Sequence, residues 1–158
     1  MLTPTPATPT KRELPTFADA KGRVYHLDPT MRDFRTVTTE TGISLMGVLQ
    51  SGEELVKFLF GSCDLLGQVL WLIVRKQAEA KGITPDDFED SLTGDVMRSG
   101  AEAVLFATAG FYPRAAYGES VRQNLPRVLD ALDQSVSLRT GEALDAILAQ
   151  QAAGTVAV

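Results

Sequence analysis

The chain has 158 residues, 44% of them hydrophobic and 22% charged, a length and balance that support one domain with its own core and no need of staples. A net charge of −5 and a pI near 4.9 lack the basic footprint that DNA or RNA binding demands. With one cysteine, Cys63, and one histidine, His26, an internal disulfide and a Cys/His zinc site are both excluded, and the cysteine usage points to a reducing compartment.

Residues 1–12, rich in Thr and Pro, are expected to form a disordered arm that supplies no core and joins no ladder. Phe17 and Ala18 then precede Asp19-Ala20-Lys21-Gly22, a turn-like run. Arg23 to Leu27 alternates, with Val24, His26 and Asp28 on one side and Tyr25 and Leu27 on the other. This predicts a β-hairpin over about 13–28 that must lean on helices, because a lone hairpin is marginal in water. His26 lies here without a second ligand or a paired nucleophile and reads as structural.

Asp28-Pro29 predicts a helix start, with Asp28 as the cap and Pro29 at the first position, running over about 30–39 and ending before Gly42. Its β-branched run Thr36-Val37-Thr38-Thr39 weakens it on propensity. Ile43, Leu45, Met46, Val48 and Leu49 follow as a short apolar turn or helix. Ser51-Gly52-Glu53-Glu54 is a capping box opening a helix that carries Leu55, Val56, Phe58, Leu59 and Phe60 and stops at Gly61. Asp64 is the expected cap of the next helix, over about 65–81. Leu65, Leu66, Val69, Leu70, Trp71, Leu72, Ile73 and Val74 leave it little polar face, which places it at the centre of a bundle or leaves one face for a partner. Cys63, in the break before it, reads as a small half-buried residue rather than a reactive thiol.

Gly82 ends that helix. Thr84-Pro85-Asp86-Asp87 starts a short one, with Thr84 as cap, and Phe88 and Leu92 on its inner face. After the break at Thr93-Gly94-Asp95, a helix to Gly110 has a stripe of Met97, Ala101, Val104, Leu105 and Thr108, with small Gly100, Ala103 and Ala107 that permit close packing. Phe111-Tyr112-Pro113 ends it. Val121, Leu125, Val128, Leu129, Leu132 and Val136 keep helical spacing. Pro126 either kinks one helix there, or Asn124 caps a new one. Ala143, Leu144, Ile147 and Leu148 predict a final amphipathic helix, followed by a flexible tail at 153–158. The reading is mainly α: a compact bundle of about five to seven helices with a small N-terminal hairpin, in a single domain over 13–152.

No segment is long and apolar enough to span a membrane. The longest apolar uncharged run, residues 65–74, is about half of the roughly 20 residues required, and residues 1–10 hold no apolar signal core. A cytoplasmic protein is expected. Phosphate-binding and dinucleotide-binding glycine patterns are absent. The paired carboxylates Asp86/Asp87 and Glu89/Asp90 sit at a helix start or on a polar face, where capping and solvation account for them. No catalytic, cofactor or metal site is expected, and the chain reads as a non-enzyme. From Lys76 to Glu102, seven carboxylates stand against three basic residues, a net charge of −4, suited to a solvated face or to a basic partner. Phe58, Phe60, Trp71, Phe88, Phe106, Phe111 and Tyr112 lie in the same middle region, and a groove between helices there is the expected means of holding an amphipathic segment.

The run from Val69 through Trp71, Gln77-Ala78, Gly82-Ile83-Thr84 and Asp87-Phe88 resembles the tail assembly chaperones of long-tailed phages. Leu92-Thr93-Gly94-Asp95 and Phe111-Tyr112-Pro113 continue the same order. The Gly22-Arg23-Val24-Tyr25 hairpin and the turn from Thr41 to Leu45 precede it in the same layout. The resemblance covers about residues 17–113. Lys76 stands where that family would carry proline, and the Thr-Pro arm and residues 146–158 have no counterpart. The resemblance implies a chaperone that keeps an apolar tape measure protein soluble until tail tube subunits polymerise around it, in the cytoplasm of a bacterial host and absent from the finished virion. Many such phages also make a frameshifted longer form. The implied partner is the tape measure protein, with the tail tube protein and self-association as further candidates and no nucleic acid or membrane. The partner-facing residues expected from the apolar central helix and its neighbours are Phe58, Leu66, Leu70, Trp71, Phe88 and Phe106. A structural tail or head-completion protein and a small helical regulator are the alternative readings.

Overall fold

The computed structural model describes residues 13–155; the expected arm at 1–12 and the last residues of the expected tail, 156–158, lie outside them. The described residues fall into two compact units that divide between Phe111 and Tyr112. The first holds strands β1 (Thr16–Ala18) and β2 (Val24–His26) and helices α1 (Met31–Thr41), α2 (Leu45–Val48), α3 (Gly52–Phe60), α4 (Cys63–Ala80), α5 (Pro85–Asp90) and α6 (Gly94–Gly110). The second holds α7 (Ala115–Thr155). The described residues are thus mainly α, with seven helices and one small hairpin.

The hairpin is antiparallel, with Phe17 opposite Tyr25, Thr16 opposite His26 and Ala18 opposite Val24. Its alternation is the one the sequence predicts: Tyr25 and Leu27 are buried while Val24, His26 and Asp28 face out. It leans on helices, as its size requires. β1 packs on α6 and β2 on α4. The outward edge of β2 is closed by α4 side chains. The Gln77 amide accepts from the His26 N–H at 3.0 Å and donates to the His26 carbonyl, and Lys81 Nζ donates to the Val24 carbonyl at 3.1 Å.

Two helix starts differ from the sequence expectation. α1 begins at Met31, not after Asp28, because Thr30 and Asp33 make both halves of a capping box: Thr30 Oγ1 accepts from the Asp33 N–H and Asp33 accepts from the Thr30 N–H at 2.8 Å. The helix also runs to Thr41, past the predicted end. The hydroxyls of Thr36, Thr38 and Thr41 are each satisfied on the carbonyl four residues back, and Gly42 closes it at φ 74°. α4 is capped by Ser62, which accepts from the Leu65 N–H at 3.3 Å, so Asp64 sits inside the first turn, where its charge suits the positive helix end. The starts of α3 and α5 are as predicted, at Ser51 and at Thr84-Pro85.

The apolar α4 is the central helix of its unit, touching α1, α3, α5, α6 and β2. Leu66, Val69, Leu70, Val74 and Ala78 are buried along it. The small residues of α6 let that helix come close: a Cβ on Gly100 would stand 2.8 and 2.9 Å from the two Cδ atoms of Leu70. Met97, predicted on the buried stripe, is only half-buried, and Val96 takes the inner position instead. No single helix among the described residues is long and apolar enough to cross a membrane; α3 and α4 reach that length and composition only together, across a 94° bend.

α7 is one helix of 41 residues with Pro126 inside it. Of the two readings of that region, the continuous helix is the one found. Asn124 does not cap a new start; its side-chain amide donates to the Ser120 carbonyl at 2.8 Å. The amphipathic segment expected as a separate final helix is continuous with the rest, and residues 153–155, expected in the tail, are helical. Leu138, Leu144, Ile147 and Leu148 are exposed along its second half.

Candidate functional site

Two features of the first unit stand out, a buried polar lock and an open groove. They are joined by a run of aromatic rings.

The lock is centred on Asp19, whose side chain is fully buried. Its carboxylate accepts from the N–H groups of Lys21 and Arg23 at 2.9 and 3.0 Å, from Arg23 Nε at 2.6 Å and from the Tyr25 hydroxyl at 3.0 Å. Arg23 reaches on to Asp87 of α5 at 2.7 Å, and Lys21 pairs with the same carboxylate. Burial pushes the Asp19 carboxyl up, but Arg23, the backbone amides and the Tyr25 hydroxyl outweigh it and hold it below the ordinary carboxylate value. Burial, and then the bond to Asp19, push the Tyr25 phenol up to about 12. Lys21 and Arg23 hold Asp87 below its ordinary value. The lock ties the hairpin turn to α5, helped by the Ala20 N–H donating to the Ser91 carbonyl at 3.0 Å.

From the lock the rings run inward. Phe17 stacks on Tyr25 at 5.2 Å, Tyr25 meets Phe88 edge-on at 5.6 Å, and Phe88 carries Trp71 at 5.4 Å. Phe88 and Tyr25 are fully buried, whereas Trp71 is half-buried.

Trp71 opens into a groove of about 590 Å³ between α4, α5 and the start of α6, lined by Cys63, Asp64, Gly67, Gln68, Trp71, Pro85, Glu89, Leu92 and Met97. The helix geometry explains its shape. Cys63, Gly67 and Trp71 follow one another four apart on one face of α4, and the small side chains of the first two leave a trough that Trp71 closes. Pro85 and Glu89, also four apart, form the α5 wall. Leu92 and Met97 complete an apolar floor. Among the described residues, the charged members of the lining are Asp64 and Glu89, both exposed, and none is Lys or Arg. Among the described residues, no three His, Cys, Asp or Glu side chains converge as metal ligands would.

The residues predicted to face a partner divide. Phe58, Leu66, Leu70 and Phe88 are core side chains, buried to within 6% of full burial; in this fold they support the surface instead of forming it. Phe106 is half-buried on α6 and does not line the groove. Trp71 does line it, with Phe88 directly beneath. Asp64, Gln68 and Glu89 are groove residues that size and hydrophobicity alone do not pick out. The signal for them is the trough itself, a glycine four residues from a half-buried Trp.

No protein-family model, no curated protein and no solved structure matches the chain.

Proposed function

We propose that this chain is a non-catalytic holding protein: a tail assembly chaperone that binds apolar helical segments of a phage tape measure protein and is released as the tail forms. The observation that carries this reading is the groove beside Trp71, with its apolar floor and negatively charged walls. The ordered residues that resemble the tail assembly chaperones bear on the same region: Trp71 is at its end, Pro85 on its wall and Leu92 on its floor. An amphipathic helix laid into such a trough buries an apolar face, and the acidic exterior keeps the complex in solution. Contacts at one small groove are modest, which suits a holder that must leave. Many copies along one long client supply the avidity.

The test is co-expression with the long helical protein encoded beside it, in the cytoplasm of the bacterial host. The reading expects a soluble complex and an insoluble partner in its absence. A partner equally soluble alone overturns it. Mass spectrometry of purified particles should find this chain missing; stoichiometric presence would assign it a structural role in the particle instead.

A further inference from the structure

We infer that the groove takes one bulky apolar side chain of a helical segment that carries Lys or Arg about one turn to either side of it. This rests on the proposed function only for the helical character of the partner; the anchor and its charged flanks come from the groove.

Trp71, Leu92 and Met97 together favour an apolar anchor. Trp71, Leu92, Met97 and Gly67 present carbon to the trough, and Trp71 is held from beneath by Phe88 and, through it, by Tyr25. A rigid aromatic with its other face in the core is the kind of surface that anchors a partner side chain at little ordering cost.

The walls require positive charge beside that anchor. Asp64 stands on the α4 wall and Glu89 on the α5 wall, and neither forms an ion pair with another described residue. By contrast, Glu53, Glu54, Glu79, Glu102 and Glu119 each pair with a cation on their own helix. Asp86, Asp90 and Asp95, all exposed nearby in the chain, add to the same field, in the stretch that carries −4 overall. On a helix, residues three and four apart share a face, so cations on the turns before and after the anchor stay on the face turned to the groove, within reach of its acidic walls. An acidic flank would set like charges against both walls, which discriminates by repulsion as well as by attraction. A second copy of this chain is a poor occupant: the exposed Leu144 and Ile147 of α7 have no Lys or Arg three or four residues to either side.

The protein carries its own reporter, since Trp71 is the only tryptophan. Full-length protein is titrated with a helical peptide bearing one Leu anchor and Lys at i−4 and i+4, and Trp71 emission is followed. A matched peptide with Glu at those positions is the comparison. Saturable change with the Lys peptide is expected, weakening as salt rises, with binding of the Glu peptide at least about tenfold weaker. Asp64→Lys with Glu89→Lys should reverse the preference. Gly67→Leu, which fills the trough without changing charge, should abolish binding by both peptides. If Gly67→Leu does not fold, the charge-reversed variant, altered only at two exposed positions, decides alone. Equal binding of the two peptides overturns the inference, as does a charge-reversed variant that keeps the original preference. A Trp71 emission that depends on protein concentration would assign the groove to a second copy. A shift on Lys11→Glu with Arg12→Glu, in the absence of peptide, would assign it to this chain's own N-terminal residues. If co-expression yields the soluble complex and the charge-reversed variant forms it equally well, the groove assignment fails while the chaperone reading stands. If the peptides behave as expected and co-expression fails, the reverse holds.

Discussion

Replacing Asp19 by Asn removes one charge and changes almost no volume, so its cost isolates the lock. The carboxylate accepts four hydrogen bonds in full burial. Asparagine keeps an oxygen for the two backbone N–H groups, and the Tyr25 hydroxyl can turn to accept from the new amide. Arg23 Nε cannot turn: its N–H then faces another donor at what was a 2.6 Å contact. Loss of one charge-assisted bond in a buried setting, with its donor left unsatisfied, is worth about 2–3 kcal/mol. That is a large share of the roughly 5–15 kcal/mol by which domains are stable. Urea denaturation should show a lower midpoint with an unchanged slope. The pH dependence is a second readout. Asp19 is held below the ordinary carboxylate value in the folded chain, so on acidification the unfolded chain takes up its proton first. The stabilisation is therefore complete above about pH 4 and fades as pH falls through the folded value. The difference between wild type and Asp19→Asn should be constant at neutral pH and shrink below about pH 4. A cost under about 0.5 kcal/mol, or a difference that stays constant into acid, would refute the account of the lock.

Gly100→Ala should lower thermal stability by about 1 kcal/mol: the helix gains roughly 1 kcal/mol of propensity, but the methyl meets both Cδ atoms of the fully buried Leu70, and overpacking costs about 1–3 kcal/mol. Leu70→Ala in the same chain should make Gly100→Ala favourable, and a double-mutant cycle reads that coupling. Gln77→Ala should cost about 1 kcal/mol and speed hydrogen exchange at the His26 amide while leaving the buried middle of α4 protected. Pro126→Ala restores an N–H for the Arg122 carbonyl and should raise the helicity of α7 and slow exchange around residues 122–130, by up to about 3 kcal/mol of local stability; unchanged exchange there would mean that the proline costs α7 nothing.

Much of the fold was legible because local chemistry decides it. Ser51, Thr84-Pro85 and Gly42 act where they stand, and the alternation of residues 23–28 needs nothing distant to be read. The misplaced starts at Asp28 and Asp64 arose where two acceptors compete within two residues; Thr30 and Ser62 win because the amide three residues on is within their reach. The unbroken α7 was undecidable locally, since Pro126 is compatible with both a kink and a fresh start. The lock was out of reach because its ends, Arg23 and Asp87, are 64 residues apart, and Asp19 alone reads as any turn aspartate. The groove lining is hard to read from sequence for a different reason. Ranking by size and hydrophobicity favours Phe58, Leu66 and Leu70, and those properties are the ones that draw a side chain into the core. What stays at the surface is Trp71, too large to bury whole, together with the small residues that make room beside it.

The clasp of Gln77 and Lys81 over β2 has a consequence for life at close quarters. An open strand edge is a template on which another chain can add a strand wherever molecules are crowded together. Here the outward carbonyls of Val24 and His26 and the His26 N–H are already occupied by side chains of the same molecule. Three of the outward polar groups of β2 are therefore closed to a strand added by another chain.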